Sequence, residues 1–495
     1  MDVNRIDFDV VIVGCGPTGA TLANLLGICG VNVLILEKEN KIYPLPRAVH
    51  FDDEVMRVFQ TIGIAEELEK KTHVNPGMRF VDNQDNVLLN WPRPTTTGKH
   101  GWNPSYRFHQ PDLEELLRER LSQQKTVTMQ SEQEVISVKE NEEFISVLVR
   151  DLGRNKVRSI NTKFVVGCDG ARSIVRTLIG GEVEDLGFRE RWLVVDVLLK
   201  KEMPELGDFT IQYCDSERPM TYCRSPKNRR RWEIMLLDGE ANSEMMLPEK
   251  VWSFLGRWID KNDADLERSA VYTFESRLSQ RWRRGRMMIA GDSAHLMPPF
   301  MGQGMCAGIR DATNLAWKLS VALKTKEFNG ILDTYQSERS SNVRTYIETA
   351  IRLGQLINTH DPKGVLEISE NKNGGLATMR SIYPILGEGV GSTLPDNMIH
   401  HRGLIVSQPK LMDSVYFDDK YGYNHIFISR VAVDINRSKD TQEPFVFITT
   451  QNESSLEELL NDLGTNAVLI RPDRHIIGTA SSVKEIELLG SFSYH

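Results

Sequence analysis

Val10-Val11-Ile12-Val13-Gly14-Cys15-Gly16-Pro17-Thr18-Gly19-Ala20 decides how the chain begins to fold. Four consecutive apolar, mostly β-branched residues suit a strand buried on both faces. The glycine-rich turn after them has the spacing GxGxxG. Gly14 permits the tight turn, Gly16 lets the backbone approach a pyrophosphate, and Gly19 lets helix and strand pack closely. A helical pattern over Ala20–Cys29 is closed by Gly30, and Val31–Leu36 forms a second buried strand with Glu37 at its end. Free N–H groups at such a helix N-terminus favour phosphate. A carboxylate at Glu37 suits ribose hydroxyls and repels a 2′-phosphate. The unit predicts a dinucleotide and leaves its kind open.

The rest of the chain sets the frame. At 495 residues it exceeds one compact core, so two or three domains are expected. With 40% hydrophobic and 26% charged residues it reads as an ordinary globular protein. A net charge of −8 argues against nucleic acid as a partner, while a local arginine cluster could still hold an anionic substrate. The six cysteines form no CxxC pair and no zinc spacing, so free thiols and no metal are expected. The segment Met1–Asp9 has no signal-peptide pattern, and no apolar run nears the ~20 residues that span a bilayer. The expectation is a cytoplasmic protein without a membrane partner.

Two further strands end in aspartate and glycine. Lys163–Gly167 runs into Cys168-Asp169-Gly170, and Met287–Ala290 runs into Gly291-Asp292. Open α/β sheets bind ligands at such carboxyl ends. Between them residues 186–274 turn β-rich and aromatic, which predicts a sheet covering a site. The chain is helical from Gly304 to about 357 and loop-like or weakly helical over 360–390. From about 400 a small α/β pattern begins, with strands expected near Val415, Phe445–Thr449, Val468–Arg471 and Ile476–Gly478.

Four segments together resemble the flavoprotein aromatic hydroxylases, close to the 3-(3-hydroxyphenyl)propionate hydroxylases. They are Gly14–Gly19 with Glu37; Pro46-Arg47-Ala48-Val49-His50-Phe51-Asp52-Asp53-Glu54; Cys168-Asp169-Gly170-Ala171-Arg172-Ser173; and Gly291-Asp292-Ser293-Ala294-His295 continuing through Pro298-Pro299 and Gly302-Gln303-Gly304-Met305 to Leu319. Arg191–Val197, Arg231–Leu236 and Asp333–Arg339 add to the likeness. Arg471-Pro472-Asp473-Arg474 resembles a segment of the thioredoxin-like tail in this group.

The resemblance implies an α/β fold with a glutathione-reductase-type FAD domain from 1–185 and 275–370, to whose partner sheet residues 77–97 would add. It implies a substrate sheet over 186–274 and a thioredoxin-like domain over 400–495. The tail has no cysteine, so it is expected to pack or to support a homodimer rather than do redox work. Cofactor contacts are expected from Gly14, Gly16, Pro17, Thr18, Gly19, Glu37, Lys38, Arg47, Gln110, Asp169, Gly291, Asp292, Pro299, Gly302, Gln303, Gly304 and Met305. The helix after Gly304 would stabilise negative charge on reduced flavin through its N-terminal dipole.

The implied cycle uses NADH or NADPH to reduce FAD, adds O2 at flavin C4a as a hydroperoxide, and transfers one oxygen to a small aromatic substrate. Phenol is far more reactive as phenolate, so a proton acceptor is expected. His50, His109, Tyr213 and Tyr222 are the candidates. Arg189 and Arg224 are candidates for a substrate carboxylate. The run Arg229–Arg231 reads as a solvated hairpin turn, since charge runs usually face water. Two other readings use the same motifs: a monooxygenase for an N-heteroaromatic, polyketide or antibiotic, and a flavin oxidase or dehydrogenase.

Overall fold

The computed structural model describes residues 5–325, 328–359, 369, 376–432, 445–451 and 453–494. Its first sheet is built from the Phe8–Val13 strand outward. That strand pairs in parallel with Val33–Leu36 on one side and with Lys156–Gly167 on the other. Val127–Gln130 extends the parallel array past Val33–Leu36, and Met287–Ile289 extends it past Lys156–Gly167. Val10, Val11, Ile12 and Val33–Leu36 are buried on both faces, which is why these strands read as continuous apolar runs. The Pro17–Ile28 helix packs against the long Gly304–Lys324 helix on one of those faces. Proline at its first position costs no hydrogen bond there.

Two close approaches lock the turn. Gly14 has φ +99°, and a Cβ on it would lie 2.5 Å from the Cys168 carbonyl oxygen. A Cβ on Gly19 would lie 2.1 Å from the Gly14 carbonyl oxygen. The two turns at the carboxyl ends of adjacent parallel strands therefore touch through bare backbone.

A second sheet runs in the order His295–Leu296, Ala264–Ser279, Val183–Leu199, Arg229–Met235, Met220–Arg224, Thr210–Tyr213, Gly77–Val81, Val87–Pro92. Its side chains alternate between two faces. One face carries Leu193, Val195, Tyr222, Trp232 and Ile234, which bury against Val251 and Leu255 of the Pro248–Leu255 helix. The other face turns toward the parallel sheet. The run Arg229–Arg231 is part of this sheet and not a solvated turn. Arg231 is 1% exposed, because Asp196 stands opposite it on the neighbouring strand with Nε–Oδ1 at 2.7 Å.

The last part of the chain forms a sheet ordered Phe445–Thr449, His425–Ser429, Ala467–Ile470, Ile476–Ala480, with one parallel and two antiparallel pairings. The expected strand near Val415 is only an isolated bridge between Lys410 and Tyr416, and the strand lies later, at His425–Ser429. Most of the 360–375 stretch lies outside the described residues. None of the six cysteines is joined in a disulfide.

Buried charge fastens this last sheet to the rest. Glu338, on the Asn329–Thr359 helix, accepts from Lys318 (2.7 Å), Arg471 (2.9 Å), Asn314 (2.8 Å) and the Val390 N–H (2.8 Å). These cations hold the Glu338 carboxyl down at about 2, against the desolvation that would raise it. Arg57 reaches across to Asp418 at 2.7 Å in the same way. Glu338→Ala leaves Lys318 buried without its counter-charge, so a loss of about 3–5 kcal/mol is expected, read as a lowered urea midpoint of the purified protein.

Candidate active site

A cavity of about 520 Å³ opens between the two sheets. It runs from the Gly16-Pro17-Thr18 turn, past Arg47, Gln110 and Asp292, along Pro298–Gly302 and Gly304–Met305, to His50 and the inner face of the second sheet. The carboxyl ends of the parallel strands thus supply one end of the cavity, as expected for an open α/β sheet.

Each wall is held for a traceable reason. Gln110 starts a helix, and its side-chain oxygen accepts from the Arg47 and Ala48 N–H groups (3.1 and 2.8 Å). Arg231 donates to the Arg47 carbonyl (2.9 Å), so the second sheet grips the same loop. Glu37 receives the Cys15 N–H (2.8 Å) and the Glu39 N–H (2.9 Å), which shapes the glycine turn from below. Asp292 projects into the cavity and makes no hydrogen bond among the described residues. Desolvation raises its pKa, opposed by His295 and Arg47.

His50 lies on the His50–Asp52 strand, 2% exposed. Its Nδ1 faces the Gly302 carbonyl at 3.2 Å and its Nε2 faces the Ser105 hydroxyl at 2.9 Å. A carbonyl can only accept, so Nδ1 carries the proton and Nε2 is the acceptor. Burial, then Arg93 and Arg107, hold the imidazole well below its ordinary value. His50 is neutral at pH 7.

Several expected residues stand elsewhere. Tyr213 and Tyr222 lie on the far face of the second sheet. Tyr213 accepts from Trp258 (3.0 Å), and Tyr222 donates to the Gly207 carbonyl (3.3 Å). Strand alternation puts their neighbours Gln212, Thr221 and Cys223 in the cavity instead. Arg224 turns out to Asp208 (3.0 Å), and Arg189 is an exposed side chain 3.4 Å from Glu275. His109 faces Asp112 (3.0 Å), outside the cavity. Asp169 spends its carboxylate on the Ile174 N–H (2.7 Å) and Ser293 (3.1 Å), so it caps a short helix. The Gln303 side chain turns to Asp52 (3.1 Å) and Arg310 (3.0 Å). Gly291 packs on Thr18 behind the wall, and Lys38 is exposed. Arg93, Arg107, Arg268, Thr210 and Glu233 line the cavity without having been singled out. No motif marks them; only strand parity and the pairing of Arg107 with His50 across two strands could have shown them.

The walls fit a dinucleotide that ends in a flat ring. A Cβ on Gly16 would meet nothing within 4 Å, so this side of the turn is open where the Pro17–Ile28 helix has no side-chain cap. The Gly304–Lys324 helix likewise starts at the cavity with no side-chain cap. Residues 7–350 match the family model described as FAD binding domain. The chain belongs to this family. It is 41% identical over 71% of its length to a Rhodococcus jostii protein named "Probable NADH-specific resorcinol 4-hydroxylase", and 33% identical over 72% to a Burkholderia cenocepacia "3-(3-hydroxy-phenyl)propionate/3-hydroxycinnamic acid hydroxylase". These alignments span 66% and 64% of the two relatives' own lengths. A Mycolicibacterium smegmatis protein of the latter name is 29% identical over 97% of this chain and 92% of its own. Among solved structures the flavin-dependent monooxygenase PieE has a TM-score of 0.81 at 18% identity, covering 98% of both chains. Aklavinone-11 hydroxylase has 0.77 at 19%, covering 99% of both, and these two likenesses establish the shared fold.

The lowered His50 pKa has a measurable sign. Below about pH 6.5 the unfolded chain takes up a proton at this imidazole and the folded chain does not, so stability falls as the pH drops. Between pH 7.5 and 5.5 the wild type should lose about 1.4 kcal/mol more than His50→Gln. Urea unfolding of both at the two pH values checks this.

Proposed function

We propose that the chain is an FAD-dependent, NAD(P)H-consuming monooxygenase that hydroxylates a phenolic ring, with NADH as the donor. The observation that carries this is the continuity of the cavity. One space joins the uncapped helix at Gly16–Thr18, the free carboxylate of Asp292, the uncapped helix at Gly304, and a polar wall around His50. The names of the relatives, resorcinol and hydroxyphenylpropionate hydroxylases, support the substrate class. The cysteine-free tail reads as a packing domain.

The chain's own residues divide the work. The Gly16–Thr18 turn would hold the pyrophosphate, and Asp292 would accept from the ribityl hydroxyls. Pro299, Gly302, Gly304 and Met305 would border the ring, with the Gly304 helix N-terminus facing its electron-rich edge. When bound, FAD would supply the redox chemistry that takes electrons from a nicotinamide and passes one atom of dioxygen to the substrate. His50 can take a phenolic proton by way of Ser105, because neutral Nε2 accepts from the Ser105 hydroxyl at 2.9 Å and that hydroxyl would relay the proton to it. The buried strands and the second sheet keep solvent from the ring.

The decisive experiment loads the protein with FAD and supplies NADH, air and a panel of phenols. Resorcinol or 3-(3-hydroxyphenyl)propionate should yield a product one oxygen atom heavier, with little peroxide. Stoichiometric peroxide with every phenol would leave an oxidase. Oxygen transfer confined to other rings would move the substrate class. Gly19→Ala should purify colourless, since its Cβ cannot fit beside the Gly14 carbonyl. His50→Ala should slow turnover about 10²-fold or more and lose the acidic limb of the pH profile; normal hydroxylation at all pH values would remove His50 as proton acceptor.

A further inference from the structure

Two guanidiniums in the cavity wall have acids near them, Asp52 for Arg93 and Glu233 for Arg107, but none in contact. Arg93 and Arg107 are 8% and 6% exposed, and both line the cavity next to His50. Among the described residues neither makes an ion pair. Arg107 donates to the Thr210 hydroxyl, and its Nε has no partner. Arg93 lies over the Trp91 ring at 4.4 Å and donates to Ser105 (3.1 Å). All of these partners are neutral.

Of the other arginines of the wall, Arg231 and Arg268 are matched, while Arg47, toward the dinucleotide end, lies over the Tyr43 ring. Arg231 and Arg268 both meet Asp196, at 2.7 and 2.8 Å. Glu233 stands 3.7 Å from Arg231, and Asp52, behind His50, is held by Arg310 at 2.6 Å. Burial, then repulsion from Arg107, brings Arg93 down to about 10. A buried charge without a partner is costly, and two adjacent ones of like sign cost more. The cavity beside them is where a counter-charge can come from.

We propose that Arg93 and Arg107 form a seat for an anionic oxygen of the substrate, either a ring phenolate or a carboxylate carried on the ring's side chain. The seat rests on the geometry; only the identity of its occupant as substrate rests on the hydroxylase reading. A phenolate held there would be ionised below its solution pKa, because two positive charges favour the charged form. A carboxylate held there would fix the ring's orientation through charge-assisted hydrogen bonds.

The test uses FAD-loaded protein and ligand binding rather than turnover. Calorimetry compares benzoate with benzamide, and visible absorbance reports the ionisation of bound 4-nitrophenol. The wild type should bind benzoate about tenfold or more tighter than benzamide, or hold nitrophenolate at a pH where the free phenol is protonated. The first result assigns a carboxylate, the second a phenolate. Arg93→Met and Arg107→Met should each abolish the preference while binding benzamide within about twofold of wild type and keeping FAD. Arg107→Lys, which retains the charge, should keep part of it and serves if a methionine variant does not fold. The seat is overturned if the wild type shows neither preference, if the variants keep it, if charged and neutral probes weaken equally, or if only FAD retention falls. An anion preference without hydroxylation of any phenol would remove the hydroxylase reading alone. Hydroxylation without any anion preference would remove the seat alone.

Discussion

The contact of the Gly14 turn with the Cys168 carbonyl is the constraint on which the rest of this molecule is arranged. Two parallel strands end side by side, and their turns meet with no side chain between them. That closeness sets where the Pro17–Ile28 helix begins, and so where its free N–H groups point. It also sets how near Asp292, from the next strand over, comes to the same opening. The second sheet then roofs the space that these strand ends leave. A side chain at either glycine would separate the turns and disperse the phosphate end of the cavity.

Much of this was legible in the sequence, and for definable reasons. Val10–Val13, Val33–Leu36 and Phe164–Gly167 announce themselves because both of their faces are buried, so apolarity is continuous. The glycine spacing announces itself because backbone contact leaves no alternative residue. Segments that looked like separate motifs turn out to be one assembly. Asn314 and Lys318, Glu338, and Arg471 with Asp473 come from three distant stretches and meet in a single buried network. The pattern of each stretch was readable; their meeting was not, since each polar group looks solvated when read alone.

The cavity wall was harder to read. In a strand, one position of error moves a side chain to the opposite face. Tyr213 and Tyr222 have the chemistry a phenol hydroxylase could use, yet Gln212 and Thr221 have the geometry. Arg231 looked like part of a solvated run because its partner, Asp196, is 35 positions away in the chain and directly opposite it in the sheet. Asp169 and Gln303 sit in the right motifs, but their side chains work as struts, one capping a helix and the other joining the Asp52–Arg310 pair.

Arg231 also ties the two halves of the cavity into one moving part. A single guanidinium binds Asp196 in the roof and the Pro46 and Arg47 carbonyls in the floor. A displacement of the roof strand is therefore transmitted to the loop that carries Arg47, and through Gln110 to the helix behind it. A ligand that presses on the sheet would be felt at the dinucleotide end without any hinge between them, so the cavity should breathe as a unit rather than open at one lip.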